Sequence, residues 1–283
     1  MIGWLSYILP ALRVHSWGGF GSQLFAAHAI LRIQKLFPYR RIKVIIHSSG
    51  VTERTKEVDF SLIGINAFQK EDFEQLKLDS IEKKGEELLI LDIKIIALNI
   101  LKALQFVFFN IDEKLFLRIK PWTISLRCHY TNIQLDRFCV VELYNLLGLG
   151  QSYNPMVNTI AVHYRLGDLL HLPNKSPIST KRVEDVLKKL DLNSPILRLA
   201  SDSAVFESKA FFSTSEILGA VNPENNSPLK TIRLCVISEV FIGTTAKISI
   251  WVAAFRQLIH NQTSYMPEEM EWISRIGLEC KWY

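Results

Sequence analysis

The sequence predicts an α/β protein built from two domains. Its 283 residues exceed what one small core fills and suit two domains of roughly 100 to 150 residues each. Hydrophobic residues make up 48% and charged residues 22% of the chain, which is the composition of a protein that buries an apolar interior. A strand, a glycine loop and a helix open the chain, and strands alternate with helices in its second half.

The first half carries the signals of a mixed α/β domain. Residues 13–16 end a short strand, residues 18–21 form a glycine loop, and residues 23–36 place apolar side chains at helical spacing. Residues 42–47 are a second, β-branched strand. Residues 125–147 are predicted to be mostly helical.

A cluster of turn-forming residues separates the two halves. Gly, Ser, Asn and Pro recur over residues 148–155, where they end helices and favour turns. We therefore place the domain boundary after residue 154. The predicted domains are residues 1–154 and residues 155–283.

The second half predicts a parallel, Rossmann-like sheet because strands and helices alternate along it. The predicted elements are strands over residues 159–164, 196–200 and 231–237 and helices over residues 180–190 and 246–260. Open α/β sheets bind ligands beyond the carboxyl ends of their strands, where loops and helix N-termini converge. The loops that follow these strands are therefore the first places to look for a site.

Net charge and cysteine content indicate which kinds of partner and site the chain can have. A net charge of +5 and a pI near 8.9 favour an anionic partner, such as a phosphorylated ligand. Lys and Arg are scattered rather than gathered in a stripe with aromatics, so we expect no nucleic acid partner. The four cysteines form no CxxC pair, which argues against a zinc knuckle or a redox motif and predicts buried, reduced thiols.

The most apolar stretch, residues 88–109, is not predicted to span a membrane. Asp92, Lys94 and Asn99 interrupt it before the roughly 20 apolar residues that a bilayer requires. A buried or interfacial helix is the prediction there. Since no export signal is readable either, we expect a cytoplasmic protein, with a peripheral contact to the inner membrane as a second expectation.

The glycine loop and the start of the next helix, residues 18–23, form the first candidate site. Such a loop lets the backbone approach a ligand and directs helix N-terminal amides at it. Leu24 stands where the dinucleotide fingerprint requires a third glycine or alanine, and no phosphate-gripping lysine follows, so a nicotinamide enzyme and a Walker loop are disfavoured. A tight structural turn is the alternative interpretation.

The segment His163-Tyr164-Arg165-Leu166-Gly167-Asp168 follows a predicted strand and forms the second candidate site. The guanidinium of Arg165 suits a diphosphate because it donates two parallel hydrogen bonds and stays charged at any working pH. A core role for His163 and a capping role for Asp168 are the structural alternatives.

Two further candidate loops adjoin predicted elements of the second domain. Asp202, in Ser201-Asp202-Ser203, could accept hydrogen bonds from a ribose or a base. Thr244 and Thr245, after Gly243, precede a helix with an apolar face, so hydroxyls and amides meet at its N-terminus. Helix capping is the alternative for both loops.

Read in order, these motifs are GGFGSQLF, HYRLGD, LASDS and IGTTAKISIW. Together they resemble the α-1,2-fucosyltransferase family and its GDP-fucose-using relatives, whose patterns are a GGLGNQ loop, HxRRGD, SDD and a final loop and helix rich in Ser and Trp. The resemblance rests on four short blocks and leaves residues 51–150 unmatched. It implies a GT-B fold, in which two Rossmann-like domains face a cleft, with an N-terminal acceptor side and a C-terminal nucleotide side.

The resemblance also assigns roles to individual residues. By position, Arg165 would hold the diphosphate with support from His163, Asp202 would contact the nucleoside, and Gly19 and Gly21 would line the cleft. The remaining substrate-binding candidates are Ser22, Gln23, Asp168, Ser203, Thr244, Thr245 and Ser249. Departures from the family pattern fall on Ser22, Leu166, Ser203 and Ala246, whereas Ser249 and Trp251 match.

The function implied is an inverting glycosyltransferase that moves fucose or a related sugar from a GDP-sugar to a glycan or lipid-linked glycan, as in surface polysaccharide or O-antigen synthesis. No metal and no cofactor are expected, because a preorganised arginine and helix-end amides can stabilise the leaving diphosphate. The sequence does not identify the general base: Asp59, Glu53 and His15 can be proposed, but a surface or loop position is the simpler interpretation of each. The alternatives are a non-catalytic nucleotide- or glycan-binding protein and a membrane-surface scaffold that uses residues 88–109.

Overall fold

The computed structural model describes residues 11–47, 57–70, 105–167, 169–170, 176–190 and 192–283. Within these residues the chain forms two parallel β-sheets of five strands each, with helices connecting the strands. The α/β fold class with two Rossmann-like halves is therefore confirmed.

The first sheet has the strand order β3-β2-β1-β5-β4, and all its neighbouring strands are parallel. Its strands are β1 Leu12–Trp17, β2 Ile42–His47, β3 Asn66–Lys70, β4 Gln105–Asp112 and β5 Ser125–Asn132. The helices of this half are α1 Phe20–Leu36 and α2 Glu113–Phe116, with a 3₁₀ turn at Phe60–Ile63. Helix α3, Arg137–Leu146, follows β5.

The chain divides into two compact units, Met1–Cys139 and Val140–Tyr283. The division falls inside α3, whereas the sequence placed the boundary after residue 154. Gly148, at a φ of 66°, ends the turn after α3. The turn residues that follow therefore lie inside the second unit and lead into its first strand.

The second sheet has the order β10-β9-β8-β6-β7 and is also parallel. Its strands are β6 Met156–Tyr164, β7 Ile196–Ser201, β8 Ser238–Gly243, β9 Tyr265–Met266 and β10 Lys281–Trp282. Its helices are α4 Thr180–Lys189, α5 Val205–Phe212, α6 Glu216–Gly219, α7 Pro228–Ile237 and α8 Lys247–His260, with 3₁₀ turns at Gly150–Ser152 and Glu268–Ile276.

This strand order creates a switch point. From β6 the chain adds β7 on one side and then crosses to place β8 on the other side. In doubly wound sheets with this order, the crevice outside the carboxyl ends of the two central strands is the ligand site. The carboxyl ends of β6 and β8 are therefore the expected position of a site in the second unit.

Two predicted elements are wrong in type. Residues 125–132 form strand β5 rather than helix, because Leu126, Cys128 and Tyr130 alternate into the core with a period of two. Residues 231–237 belong to helix α7 rather than to a strand. Ser227 and Pro228 start that helix, and packing of its apolar face outweighs the strand propensity of its β-branched residues.

The apolar stretch 88–109 lies mostly outside the described residues. Its last part, residues 105–109, belongs to strand β4, so the helix predicted there is corrected to a strand. Among the helices that the structure describes, none has the length and apolarity to cross a bilayer.

The four cysteines are free thiols. Cys128, Cys139 and Cys235 are buried, as predicted, and Cys280 is half-buried. Burial raises the pKa of the Cys128 and Cys235 thiols to about 12, which keeps them protonated and poorly nucleophilic at neutral pH.

Candidate functional site

The candidate site lies at the carboxyl ends of β6 and β8. His163 on β6 is aligned with Gly243 on β8, so the two loops that leave these strands start side by side. Arg165 begins the first loop and Thr244 begins the second. This is the switch point of the sheet, where a ligand is expected.

Three hydrogen bonds connect the end of β6, the two loops and the first turn of α8 to one another. The backbone N–H of Arg165 donates to Oγ1 of Thr244 at 3.2 Å. Nδ1 of His163 lies 2.8 Å from Oγ of Ser249, which also accepts the backbone N–H of Thr244 at 3.2 Å. The end of β6, the end of β8 and the N-terminus of α8 are thus held in one arrangement.

Burial alternates from the last residue of β6 into the loop that follows it. The side chains of Tyr164 and Leu166 are fully buried in the core of the second unit, whereas Arg165 between them is half-buried. Leu166 stands where the family pattern has its second arginine, and here that position belongs to the apolar core. The loop therefore presents Arg165 as its cation near the switch point.

Asp202 ties the loop after β7 to the loop after β6. Its Oδ1 accepts the backbone N–H of Leu166 at 2.6 Å and that of Gly167 at 2.9 Å. A Cβ at Gly167 would lie 3.2 Å from the Asp202 carbonyl oxygen and 3.3 Å from its carboxylate, so glycine permits this close approach. The predicted nucleoside contact of Asp202 stays a prediction, and its loop-holding role is a finding.

His163 is neutral at physiological pH. Burial lowers the pKa of its imidazole to about 4, and the positive charge of Arg165 acts in the same direction while the charge of Asp202 opposes it. Because its pKa lies well below 7, the ring has one proton and one lone-pair nitrogen at neutral pH.

The other candidates of the second unit differ in their surroundings. Ser203 is buried, and its hydroxyl donates to the carboxylate of Glu207 while its N–H donates to Oγ of Ser201. Thr245 is half-buried and makes no hydrogen bond within the described part of the chain. Asp168 lies outside the described residues.

In the first unit the glycine loop is shorter than predicted. Helix α1 begins at Phe20, with Gly19 as its N-cap and Gly21 buried in its first turn. Gly18 adopts a φ of 89°, which favours glycine. The backbone N–H of Phe20 donates to the carboxylate of Glu57 at 2.7 Å, so a protein carboxylate already lies at this helix N-terminus.

The buried side chain of Gln23 connects the glycine loop to residues 57–58 by hydrogen bonds. Its side chain is fully buried, its amide nitrogen donates to the carbonyl of Gly18 at 3.2 Å, and its Oε1 accepts the N–H groups of Glu57 and Val58 at 2.9 and 3.0 Å. Ser22, by contrast, is half-buried. The contact between Gln23 and residues 57–58 spans a distance in sequence that no local pattern indicates.

Two of the three residues proposed as a general base lie in the described part of the chain, and both make contacts within the first unit. Asp59 caps the 3₁₀ turn at Phe60–Ile63 by accepting the N–H of Ser61 at 3.1 Å, which is a structural role. His15 is buried, with its Nδ1 2.7 Å from Nε2 of His47. Glu53 lies outside the described residues.

Sequence reasoning missed an aromatic cluster that contains His15 and His47. The indole of Trp17 stacks on His47 with ring centroids 4.6 Å apart and meets His129 edge-on at 5.9 Å. These side chains come from the carboxyl halves of β1, β2 and β5. Among the described residues no three His, Cys, Asp or Glu side chains are grouped so that they could hold a metal ion. The alternation of His15 and Trp17 along one strand face was the available signal.

Comparison with known proteins assigns no function to the chain. No protein-family model and no curated protein matches the sequence. Among solved structures, the chain is similar to NodZ alpha-1,6-fucosyltransferase soaked with GDP-fucose. The match has a TM-score of 0.38 and 14% sequence identity, and it covers 87% of this chain and 92% of that chain. An identity this low transfers no residue roles.

Proposed function

We propose that the chain is an inverting, metal-independent glycosyltransferase that transfers fucose or a related sugar from a GDP-sugar to a glycan. The observation that carries this proposal is the position of Arg165 at the β6/β8 switch point. Its backbone is bonded to Thr244 and its side chain stays out of the packed interior that receives both neighbours. A cation on a loop held at the carboxyl ends of the central strands suits an anionic nucleotide.

The leaving group explains why an arginine is needed. When the bond between the sugar carbon and the diphosphate oxygen breaks, the electron pair stays on the diphosphate, whose negative charge increases. The guanidinium of Arg165 would stabilise that charge with paired hydrogen bonds. The N-terminus of α8 supports it, since the N-cap Ala246 has no side chain that could accept from the first-turn amides.

The second substrate supplies the nucleophile. An acceptor hydroxyl oxygen forms the new bond on the face of the sugar opposite the leaving diphosphate, which inverts the carbon, and its proton passes to a general base. Charge on the diphosphate is stabilised by Arg165 and the α8 amides in this scheme, so the proposed reaction requires no metal ion.

The family resemblance guides the remaining parts of the proposal. The acceptor would be a glycan or a lipid-linked glycan of surface polysaccharide or O-antigen synthesis, bound on the N-terminal side. A net charge of +5 is compatible with a peripheral contact to an anionic membrane surface. The four ordered motifs favour fucose among donor sugars.

Binding of GDP to variants tests the role of Arg165. The Arg165→Ala variant is expected to bind GDP at least tenfold more weakly, because a charge-assisted bidentate contact contributes roughly 1.5 to 3 kcal/mol. Arg275→Ala is the matched control, since it removes the same charge from an exposed position of the second unit. Calorimetry on both variants, with thermal unfolding to check the fold, gives the result. Equal GDP affinity of Arg165→Ala and the wild type contradicts the proposal.

A transfer assay separates the enzyme from a binding protein. Release of GDP from GDP-fucose in the presence of a glycan mixture, lost in Arg165→Ala and kept in Arg275→Ala, is the expected result. Tight GDP binding without turnover of any nucleotide sugar would instead favour the non-catalytic nucleotide-binding alternative.

A further inference from the structure

The hydroxyl of Ser249 lies between two partners at the first turn of α8. Its oxygen accepts the backbone N–H of Thr244 at 3.2 Å, so it acts as an acceptor toward that group. The hydroxyl proton then needs an acceptor of its own. Within the described residues the one group that meets this need is Nδ1 of His163, at 2.8 Å.

The state of His163 follows from this contact. A neutral imidazole has one N–H and one lone-pair nitrogen, and the hydrogen bond made by one nitrogen decides which of the two carries the proton. With Nδ1 as the acceptor of the Ser249 hydroxyl proton, the proton of the ring is on Nε2. Nε2 makes no hydrogen bond to any residue that the structure describes, so it is available as a donor to a ligand.

We propose that Ser249 is a positioning residue that holds His163 in the Nε2-protonated tautomer, so that the imidazole presents an N–H to the leaving diphosphate beside Arg165. The identity of the acceptor as a diphosphate rests on the proposed function, whereas the tautomer does not. The neutral ring donates a hydrogen bond without adding a second positive charge to the loop.

The end of β8 is shaped to allow this contact. A Cβ built on Gly243 would lie 2.8 Å from Cβ of Ser249, closer than any real pair of such atoms, so only glycine leaves room for the first turn of α8. Gly243 is also the residue aligned with His163 in the sheet. The strand end thus places Ser249 against the imidazole.

Nitrogen NMR of the full-length protein tests the tautomer directly. The ¹⁵N shifts of the two ring nitrogens of His163, assigned by their loss in His163→Gln, report which nitrogen is protonated near neutral pH. We expect Nε2 to be protonated in the wild type, and Nδ1 to gain part of the proton population in Ser249→Ala. A wild-type ring protonated on Nδ1, or a tautomer unchanged in Ser249→Ala, overturns the proposal.

Two further variants separate positioning from packing. Ser238→Ala removes another fully buried serine hydroxyl, one that donates to the carbonyl of Leu234 at 2.8 Å near the opposite end of β8, and it should leave the His163 signals unchanged. Ser249→Cys keeps the shape of the site with a weaker donor and is expected to show an intermediate tautomer population. If Ser249→Ala does not fold, the shift in the His163 tautomer is measured in Ser249→Cys instead.

GDP affinity connects the tautomer to the proposed function. Ser249→Ala is expected to bind GDP roughly tenfold more weakly, with Ser238→Ala unchanged, because one hydrogen bond to a charged ligand is lost. Unchanged affinity in a variant whose tautomer has shifted overturns the role of His163 as a donor. If the wild type shows the Nε2 tautomer but ignores nucleoside diphosphates, the relation of Ser249 to His163 stands and the proposed function falls.

Discussion

One carboxylate oxygen of Asp202 holds the backbone of Gly167 at 2.9 Å, and the same oxygen also accepts the N–H of Leu166. The contact joins the loop after β7 to the loop after β6, on which Arg165 lies. Because Oδ1 is occupied by two amides, a nucleoside contact by Asp202 would have to use Oδ2. The loop-holding role of Asp202 is therefore observed, whereas its contact to a nucleoside stays a prediction of the motif.

Substitutions at Asp202 distinguish these two roles. Asp202→Ala removes the acceptor for both amides, so we expect the loop to lose its position and GDP to bind about tenfold more weakly. Asp202→Asn keeps an oxygen at the place of Oδ1 and should bind GDP nearly as well as the wild type. Calorimetry measures both variants. Equal losses in the two variants would show that the carboxylate charge matters more than its hold on the loop.

Much of the second unit could be predicted from local patterns. Strand β6, strand β7 and helix α8 lie close to the predicted ranges, because β-branched runs and apolar helical spacing are local signals. These elements also place His163 and Asp202 at the ends of strands and Thr244 just before α8. Local sequence patterns were therefore sufficient to place these candidate residues at the ends of predicted elements.

The contacts that define the site were beyond local reasoning. Asp202 bonds to Gly167 across 35 positions and His163 meets Ser249 across 86, and nothing in a short sequence window encodes such pairs. Strand β8 was missed because it follows directly on α7, whose β-branched residues look like a strand themselves. Without β8 the switch point beside β6 cannot be recognised.

Gly243 tolerates no side chain. In Gly243→Ala the new Cβ would lie 2.5 Å from Sδ of Met266 and 2.8 Å from Cβ of Ser249, so β8 and α8 must separate. We expect a loss of about 1 to 3 kcal/mol in the free energy of unfolding, as for overpacked cores, and a changed His163 tautomer. Chemical denaturation measures the loss.

Gly277→Ala is the control for that substitution. Its Cβ meets open space, and its φ of 93° alone should cost about 1 kcal/mol without any effect on His163. If Gly243→Ala is as stable as the wild type, the close packing of the strand end against α8 is not required.

Arg256 stabilises the second unit from inside. Its guanidinium is almost fully buried and donates to the carbonyls of Val236 at 3.2 Å and Glu239 at 2.9 Å, at the junction of α7 and β8. Burial lowers its pKa to about 10, which still leaves it charged at neutral pH. Arg256→Met should lower the free energy of unfolding by about 3 kcal/mol, because buried carbonyls lose their donors.

Denaturant titration of Arg256→Lys completes that test. The lysine keeps the charge and reaches fewer carbonyls, so its stability should lie between those of the wild type and Arg256→Met. A methionine variant that matches the wild type in stability would mean that water or other donors replace the guanidinium.

His28 should make the first unit sensitive to acid. It is fully buried, its Nε2 accepts the backbone N–H of Asp136 at 3.0 Å, and burial together with the charge of Arg32 lowers its pKa from 6.5 to about 3. Between these two pKa values the imidazole is protonated in the unfolded chain but neutral in the folded chain. The contribution of His28 to the free energy of unfolding is therefore fully present above pH 6.5 and is lost as the pH drops toward 3. The slope of the unfolding free energy against pH approaches about 1.4 kcal/mol per pH unit for this one group.

The His28→Gln variant keeps an acceptor for the N–H of Asp136 but does not titrate. Its unfolding free energy should therefore decline less steeply over the same pH range. Parallel pH profiles of the two proteins would mean that His28 does not control this loss.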